Sequence, residues 1–573
     1  MNKVLRVAIP FADGGYDPQV ADWFSNWVTR AIFDPLYTYD HLARPMKLVP
    51  NTAAALPEIS PDGKTWTIRI KPGIHFADDP AFKGRKRELV AEDYVFAWKR
   101  VLDPRVRSTE FHVFNGRFVG SESVLAKARE SGKLDYDAPI EGLQAIDRYT
   151  LQLKLNFADA ELLSNLTIPA SAAVAREVVD AYGDASTWVM ANPVGTGPYR
   201  LKEWRRGHRV VLEANPGFRE LHYPQSSDPA DAAIIAKLKN KRIPLIGRIE
   251  IAVIEEGQPR LLVFERREID YVTLVNPLAL RVLDPPANLK PYLADQGVRL
   301  GRGIRPVTAY TYFNMEDPVV GGYTSDKVAL RRAVSMGYNT PEEIKVIQQG
   351  QATAANQIVP PTVAGHNDTL PPRAIYDPAG ARALLDRFGY KDRDNDGYRE
   401  LPDGRPLTLR LSSSPLPVDR QTDELWVRSM NAIGVRIEFN KQKTPDLLKA
   451  APLGQLQMYR TYAATGTPDG LGFFGLLYGG HAGSSNFARF KQPDYDRLYE
   501  QARGTLSGPQ RETLMHKMSD LADAYAPWIL NVFTYENVLV HPWVLGYKYN
   551  GFHQHPWAYF DIDTGKRATA LRQ

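Results

Sequence analysis

An alternation of apolar and polar residues predicts short β-strands at several places along the chain. Segment 66–70 places a tryptophan and two isoleucines at every second position. Segments 199–202 and 210–212 show the same alternation on either side of a polar Arg-Arg-Gly-His turn, which predicts an antiparallel hairpin. Segments 4–9 and 407–411 are further predicted strands. The chain is therefore predicted to contain short β-strands at several places, so it is not an all-helical protein.

Apolar residues spaced three and four apart predict helices between these strands. In segment 91–102, Val95, Trp98 and Leu102 lie on one helix face, and two acidic residues suit the positive N-terminus. Further helices are predicted at 21–33, 327–336, 378–388, 423–433, 495–502 and 509–524. Because strands and helices do not alternate strictly, the pattern favours mixed α/β domains over one doubly wound sheet.

The composition is that of a folded protein with more than one domain. At 573 residues the chain is too long for one ordinary core, so two or three domains are expected. A hydrophobic content of 43% and a charged content of 24% are typical of globular proteins. The absence of cysteine excludes disulfides, thiolate metal sites and cysteine nucleophiles.

The charge balance and the hydropathy exclude two classes of partner. With 71 Lys and Arg against 66 Asp and Glu, the net charge is +5, and the basic clusters are short and separate, so no nucleic-acid binding is expected. No segment reaches the roughly 18 apolar residues of a membrane span. The start, MNKVLRVAIP, is too short in its apolar part for a signal peptide, so an exported protein would have lost its signal.

The glycines around Thr196 do not form a nucleotide-binding loop. A dinucleotide fingerprint needs a third glycine where Arg200 stands, and a P-loop needs Gly-Lys-Ser/Thr where Pro198 follows Gly197. The chain also contains no Gly-x-Ser-x-Gly or His-Glu-x-x-His motif. No enzymatic activity is therefore expected, and the glycines are predicted to turn the chain into the hairpin.

Several segments, in this order, resemble the family 5 extracellular solute-binding proteins, which are the peptide- and nickel-type receptors of ABC importers. The matching segments extend over nearly the whole chain: SPDGKTWTIRIKPGIHFADD, KRELVAEDYVFAWKRVLDP, NPVGTGPYRLKEW, EID, FNM, LRRAVSMGYN and SSNFARFKQPDYDRLYEQA. The resemblance implies that the GTGPY segment is a structural corner where the chain re-enters the first domain. Three positions depart from the family pattern: Val90 replaces a capping threonine, Arg267 a glycine, and Asn339 an aspartate.

The resemblance implies an α/β, two-lobed periplasmic-binding-protein fold with mixed sheets and an extra domain inserted in the first lobe. Residues 1–50, 186–274 and 536–573 are expected to form the discontinuous first-lobe domain. Residues 51–185 are expected to form the inserted domain, and residues 275–535 the second lobe. The two lobes are expected to close on a ligand between them.

The implied function is that of an ABC-importer substrate-binding protein, periplasmic or extracellular, which captures a peptide or peptide-like solute and delivers it to the membrane permease subunits. The protein is expected to be a monomer and to require no cofactor. Two alternatives stay open: a receptor of the same fold for an opine, a glycoside or a metal chelate, and more remotely a secreted hydrolase.

The resemblance also implies a ligand pocket, because the family's second lobe carries a Gly-Trp-x-Ala-Asp-like stretch whose aspartate holds a peptide's α-ammonium group. Here Tyr462 falls on the tryptophan and Thr465 on the aspartate, so the usual anchor is expected to be missing. Asp469 is the nearest substitute, but it follows a proline in a turn-like segment and is expected to face solvent. The further residues carried over by position, each with core packing as its alternative, are Trp23, Phe111, Tyr459, Asn486, Phe533 and Tyr535.

An aspartate-rich segment resembles an EF-hand-type calcium loop. Its oxygen-bearing residues are Asp392, Asp394, Asp396 and Glu400 at loop positions 1, 3, 5 and 9, with a glycine at position 6 and the main-chain carbonyl of Tyr398 at position 7. Position 12 is Asp403 instead of the usual glutamate, and no EF-type helix follows. The loop predicts a structural calcium ion, with a polar turn as the alternative.

Overall fold

The computed structural model describes residues 3–10, 14–20, 26–183, 191–274, 276–285, 287–370, 375–552 and 557–572. The chain forms two compact units. Unit 1 comprises residues 1–278, 289–302 and 537–573, and unit 2 comprises residues 279–288 and 303–536. Two long strands belong to both units, namely Arg299–Phe313 and Trp528–Val540.

The first sheet of unit 1 has four strands, and its pairing confirms the predicted hairpin. Val4–Ile9 runs parallel to Arg248–Val253, which pairs antiparallel with Arg209–Ala214, which in turn pairs with Tyr199–Arg205. In Val4–Ile9 every second residue is buried, as the alternation predicts. The sheet therefore buries one face in the core of unit 1.

The second four-stranded sheet of unit 1 lies within the segment predicted as the inserted domain. Its strands, in spatial order, are Glu58–Ile59, Thr65–Arg69, Thr150–Lys154 and Leu143–Asp147. Short strands pair as Tyr37–Tyr39 with Leu48–Pro50 and as Val544–Leu545 with Asp561–Ile562. Tyr271–Leu274 pairs antiparallel with residues 537–540. The helices of unit 1 are Asn26–Ile32, Ala91–Leu102, Phe111–Phe114, Ser121–Ser131, Glu161–Asn165, Arg176–Tyr182, Ala232–Leu238, Gly257–Glu265, Pro291–Ala294 and Thr564–Ala570.

The helix Ala91–Leu102 has the predicted bounds, and it compensates for its missing capping side chain. The Asp93 carboxylate accepts a hydrogen bond from the Val90 N–H at 2.8 Å, which is one half of a capping box. Arg87 contacts the same carboxylate at 2.7 Å and Glu177 at 2.7 Å. The helix start is therefore fixed by a carboxylate from inside the helix rather than by the residue at its cap.

The two glycines of the GTGPY segment are required by close packing against the helix Asn26–Ile32. The Gly197 N–H donates to the Ile32 carbonyl at 2.8 Å, and a Cβ on Gly195 would lie 2.0 Å from that oxygen. Thr196 Oγ1 donates to Asp34 at 3.2 Å. The segment is thus a structural corner, as the sequence predicts, and the glycines allow one backbone to approach another.

The EID segment ends in a buried carboxylate that joins four parts of unit 1. Asp270 accepts hydrogen bonds from the Arg6 N–H at 2.6 Å and from Trp543 Nε1 at 2.7 Å, and Arg567 lies 3.3 Å away. Arg567, on the last helix, also donates to the Val4 carbonyl at 2.8 Å. The last helix is therefore attached to the first strand through a buried ion pair.

Unit 2 is built on one mixed sheet. Its strands follow the spatial order Trp528–Val540, Arg299–Phe313, Met458–Ala464, Thr408–Ser413 and Arg436–Lys441, and Ala352–Ala354 pairs with residues 532–534. Met458–Ala464 is antiparallel to Arg299–Phe313, whereas the strands at 408–413 and 436–441 are parallel. The helices of unit 2 are Ser325–Gly337, Thr340–Glu342, the π-helical turn Glu343–Ile347, Pro378–Arg387, Pro417–Asn431, Thr444–Ala450, Leu471–Gly475, Pro493–Gly504 and Pro509–Tyr525.

The observed helices Ser325–Gly337, Pro378–Arg387, Pro493–Gly504 and Pro509–Tyr525 begin and end within about two residues of the predicted bounds. The start of the helix predicted at 21–33 lies outside the described residues. One prediction differs more. The helix predicted to start at 423 begins at Pro417 and ends at Asn431. Proline is favoured in the first turn of a helix, where its missing N–H has no partner to lose, so Pro417 starts the helix about one and a half turns before the apolar periodicity begins. Among the described residues, no helix is both long enough and apolar enough to cross a membrane.

Candidate functional site

The strand Met458–Ala464 presents Tyr462 on an open face of the unit 2 sheet. Tyr462 is opposite Ala309 in the antiparallel pairing, and Ala464 is opposite Val307. Residues that are directly opposite each other point to the same side of a sheet, so these four side chains share one face. Tyr462 is 56% exposed, which is unusual for a tyrosine in a central strand.

The ion pair between Arg460 and Glu343 fixes the position of the Tyr462 ring. Arg460, two residues earlier on the same face, lies 5.4 Å from the centre of the Tyr462 ring and donates to its hydroxyl at 2.9 Å. The Arg460 guanidinium also contacts Glu343 at 2.5 Å, and Tyr338 donates to the second oxygen of Glu343 at 2.9 Å. Glu343 is fully buried on the π-helical turn. An exposed aromatic ring is therefore supported by three side chains.

Asp469 does not face solvent, which corrects the expectation from its turn-like sequence. Its side chain is 5% exposed, and Arg511, with a side chain that is 3% exposed, lies 2.7 Å from it. The same carboxylate accepts from the Leu471 N–H at 2.9 Å, at the start of the helix Leu471–Gly475. Asp469, which precedes the N-cap residue Gly470, thus accepts from the first N–H of this helix and pairs with a buried cation, and this arginine lies 42 residues later in the chain.

The hydroxyl of Thr465 is engaged within its own turn. It donates to the Thr467 carbonyl at 3.0 Å and accepts from the Thr467 N–H at 3.1 Å. The Thr465 N–H donates to the Pro306 carbonyl at 3.2 Å, which continues the strand pairing past Ala464. Position 465, where the resemblance implies the anchoring aspartate, therefore carries no charge, and its hydroxyl forms hydrogen bonds within its own turn.

Three predicted site residues lie on the other face of the sheet from Tyr462. Tyr459 is 8% exposed and packs edge-on against Tyr312 at 6.4 Å between ring centres. Val532 packs with Ala309, so strand alternation places Phe533 and Tyr535 on the opposite face. Phe533 is 2% exposed, and Tyr535 is half-buried. The structure does not bring these residues together with Tyr462.

The remaining predicted residues have separate surroundings. Asn486 is fully buried, and its amide donates to the carbonyls of Tyr478 and Phe490 at 3.0 and 2.8 Å, which gives it a structural role. Phe111 is half-buried and packs on the core of unit 1. Trp23 lies outside the described residues. The sequence did not indicate Glu343, Arg460 and Arg511 as site residues, because no local pattern predicts an ion pair between distant segments.

The aspartate-rich loop brings together four of its six predicted oxygen donors. Carboxylate oxygens of Asp392, Asp394, Asp396 and Glu400 lie within 4.8 Å of one another. Two oxygens bound to one calcium ion at about 2.4 Å can be at most about 4.8 Å apart, so this spacing fits calcium. Asp403 is not in this group, because it contacts Arg405 at 2.6 Å.

Charged and main-chain groups already contact this loop. Arg436 lies 2.5 Å from Asp396, and the Gly397 and Tyr398 N–H groups donate to Asp392 and Asp396 at 3.0 and 2.8 Å. The side chain of Tyr398 lies under the Arg436 guanidinium at 4.7 Å. The loop is therefore ordered by hydrogen bonds that neutralise part of its negative charge.

A sequence profile of the bacterial extracellular solute-binding proteins, family 5, matches residues 47–485, which is more than half of the chain. The chain belongs to this family. Its members bind solutes and are not enzymes, so the hydrolase alternative is excluded. The family is extracytoplasmic and serves ABC importers.

Individual relatives are similar over most of their length. Di/tripeptide-binding protein 2 of Pseudomonas aeruginosa (strain UCBPP-PA14) is 24% identical over 542 residues, which cover 92% of this chain and 89% of the relative. Heme-binding protein A of Haemophilus influenzae is 25% identical over 502 residues, which cover 86% and 81%. The two names show that one family includes receptors for different solutes.

Solved structures confirm the predicted fold class. The periplasmic binding protein DppA from Helicobacter pylori, in complex with the peptide STSA, has a TM-score of 0.71 at 20% identity, with 98% of each chain covered. NikA from Brucella suis, in complex with Fe(III)-EDTA, has a TM-score of 0.74 at 17% identity, covering 98% of this chain and 100% of that one. The chain has the α/β fold of the two-lobed periplasmic binding proteins, whereas the predicted domain boundaries stay a prediction.

Proposed function

We propose that the protein is the receptor of an ABC importer for a peptide or a peptide-like solute, and that Tyr462 lies in its ligand site. The observation that carries this proposal is the exposed Tyr462 ring, which Arg460 and Glu343 hold in one position. A rigid aromatic surface contributes contact area at little entropic cost. Relatives named for di- and tripeptide binding support a peptide as the solute.

The ligand's free α-amine is expected to contribute little to binding. Glu343 bonds to the strand that carries Tyr462, and Asp469 lies in the turn that follows this strand. Both carboxylates are already paired, Glu343 with Arg460 and Asp469 with Arg511. A carboxylate that already balances a buried arginine is a poor partner for a second cation. The site is therefore suited to peptides whose amine is blocked or absent.

Calorimetry with one peptide, with and without N-acetylation, tests this proposal. We expect similar affinities, and we expect Tyr462→Ala to weaken both by about tenfold or more, as for a buried aromatic contact. Tyr292→Ala, at another exposed tyrosine in unit 1, is the matched control. A loss of more than about 2 kcal/mol on acetylation would instead reveal a buried carboxylate in the site.

A non-peptide solute is the second candidate, because one relative is named for heme binding and one similar solved structure contains Fe(III)-EDTA. Mass spectrometry of the small molecules released from the purified protein by denaturation separates the two candidates. Recovery of a peptide series supports the first proposal, and recovery of a metal chelate, an opine or a glycoside supports the second.

We also propose that the protein works as a monomer outside the cytoplasmic membrane and has no nucleic-acid partner. Receptors that must leave the permease after delivery require limited, polar interfaces. Sedimentation at micromolar concentration is expected to give one species of 64.3 kDa. A stable dimer would contradict this proposal.

We propose that the loop around Asp394 binds a structural calcium ion. Asp392, Asp394, Asp396 and Glu400 would supply carboxylate oxygens, and Tyr398 its main-chain carbonyl. Millimolar calcium is expected to raise the melting temperature of the wild type and to have no effect on Asp394→Ala. Asp368→Ala, at an exposed aspartate outside the loop, is the control. If calorimetric titration of the wild type with calcium releases or absorbs no heat, the calcium site is refuted.

A further inference from the structure

Arg305 lies on the same face of the unit 2 sheet as Tyr462. Val307 and Ala309 share that face with Tyr462, and Arg305 precedes Val307 by two residues in the strand Arg299–Phe313. The bond from the Thr465 N–H to the Pro306 carbonyl, at 3.2 Å, shows that the pairing continues to this level. Arg305 therefore stands beside the turn that follows Met458–Ala464.

One end of this face is covered and the other is open. Ile344, on the π-helical turn, packs on Ala309 and Val532, and Glu343 bonds to Arg460 at the same end. Tyr462 and Ala464 are exposed beyond it, and Val307 and Arg305 are partly exposed. The open end thus carries an aromatic ring and, further along, an arginine.

The Arg305 guanidinium has no bonding partner among the residues that the structure describes. Its Nε is buried without a hydrogen bond, and no described carboxylate lies within ion-pair distance of the side chain. By contrast, Arg460 and Arg511 each have a buried carboxylate, Glu343 and Asp469. An arginine that is partly desolvated and lacks an anion is unfavourable unless something else supplies one.

We propose that Arg305 binds an anionic group of the solute, a carboxylate or a phosphate. This inference rests on the proposed function, because it places Arg305 and Tyr462 in one ligand site. Arg305 is four residues from the position opposite Tyr462, which is roughly 13 Å along the strand at about 3.3 Å per residue. The site therefore selects solutes that carry an apolar or aromatic group at one end and an oxyanion at the other.

A phosphate titration tests Arg305 without any knowledge of the natural solute. Inorganic phosphate, followed by ³¹P line broadening at ionic strength matched with sodium chloride, is expected to bind the wild type. We expect Arg305→Gln to bind about tenfold or more weakly, because a forked, charge-assisted contact is lost. Arg305→Lys should be intermediate, and Arg420→Gln, on the exposed surface of the helix Pro417–Asn431, should behave as the wild type.

Three outcomes of this titration would overturn the inference. These are no binding of millimolar phosphate by the wild type, equal binding by Arg305→Gln, and equal losses in Arg305→Gln and Arg420→Gln. Far-ultraviolet circular dichroism and the melting temperature of each variant show whether a loss comes from misfolding. If Arg305→Gln does not fold, Arg305→Lys, which keeps the charge but loses the forked contact, is expected to bind phosphate more weakly than the wild type, and equal binding would overturn the inference.

Trialanine with a free or an amidated carboxyl group separates this inference from the peptide proposal. If both hold, the free peptide binds more tightly than the amide to the wild type, and the difference disappears in Arg305→Gln. If neither peptide binds while phosphate still requires Arg305, the anion site stands and short peptides are not the solute. If both peptides bind equally and Arg305→Gln changes neither affinity, the receptor stands and the role of Arg305 is refuted.

Discussion

At the scale of single residues, Arg267 shows how a departure from the family pattern is accommodated. Its backbone is in the left-handed region, with φ at 64°, where glycine is usual in the family. Its guanidinium donates to the Ala570 carbonyl, and to Gln296 at 3.2 Å. The side chain thus bonds the last helix of unit 1 at a position where the backbone disfavours any side chain.

Comparing two variants at this position isolates the backbone effect. Arg267→Ala and Arg267→Gly both remove the side-chain bonds, but only glycine relieves the unfavourable φ. We expect Arg267→Gly to be more stable than Arg267→Ala by about 1 kcal/mol. Urea unfolding of both proteins measures the difference. Equal stabilities would show that this backbone position is not strained.

At the scale of elements, the contact between the GTGPY corner and the helix Asn26–Ile32 leaves no room for a side chain at Gly195. A Cβ there would lie 2.0 Å from the Ile32 carbonyl oxygen. We expect Gly195→Ala to destabilise the protein by about 2 kcal/mol or more, since backbone atoms must move. At Gly217, where the nearest atom to a new Cβ is 3.5 Å away, alanine should have little effect on the melting temperature.

Low pH is expected to reduce the free energy of unfolding of unit 1, because a buried histidine stacks between two aromatic side chains. The His541 ring stacks on Phe264 and Trp543, with ring centres 4.0 and 4.1 Å apart, and burial lowers its pKa to about 4. Between about pH 6.5 and pH 4 the unfolded chain binds a proton that the folded chain does not. Stability is therefore lost as the pH falls through this window, by up to about 1.4 kcal/mol per pH unit.

Replacing this ring tests the assignment. His541→Phe keeps an aromatic ring between Phe264 and Trp543, so the pH dependence of unfolding should decrease by about one proton. His41, which is also buried with its pKa lowered to about 4, retains its own contribution. His112→Gln, at an exposed histidine, is the control. An unchanged slope in His541→Phe would show that this histidine is protonated in the folded protein.

At the scale of the whole molecule, ligand binding is expected to compact the protein. In two-lobed binding proteins, a ligand that interacts better with the closed state than with the open state shifts the population toward the closed state. Small-angle scattering should show a smaller radius of gyration with saturating co-purified solute. At a solute concentration a few times the dissociation constant of the wild type, Tyr462→Ala should compact less than the wild type. Identical curves for the wild type with and without solute would contradict closure.

The sequence by itself determined the elements, the family and the structural role of the GTGPY corner. Strand alternation around residues 66–70 and helical spacing in 91–102 are local patterns, and they require no knowledge of distant contacts. The family followed from seven segments in a fixed order. The sequence also places an uncharged threonine at position 465, where the family resemblance implies an aspartate, and the missing anchor stays a prediction.

Only the tertiary structure decided which side chains act together. Strand alternation separates Tyr459 and Phe533 from Tyr462, although all three lie in segments predicted to form one pocket. The pairs Glu343 with Arg460 and Asp469 with Arg511 join positions 117 and 42 residues apart in the chain. A local pattern records burial and turn propensity, but ion pairs and shared sheet faces depend on which strands become neighbours, and that is settled only when the whole chain packs.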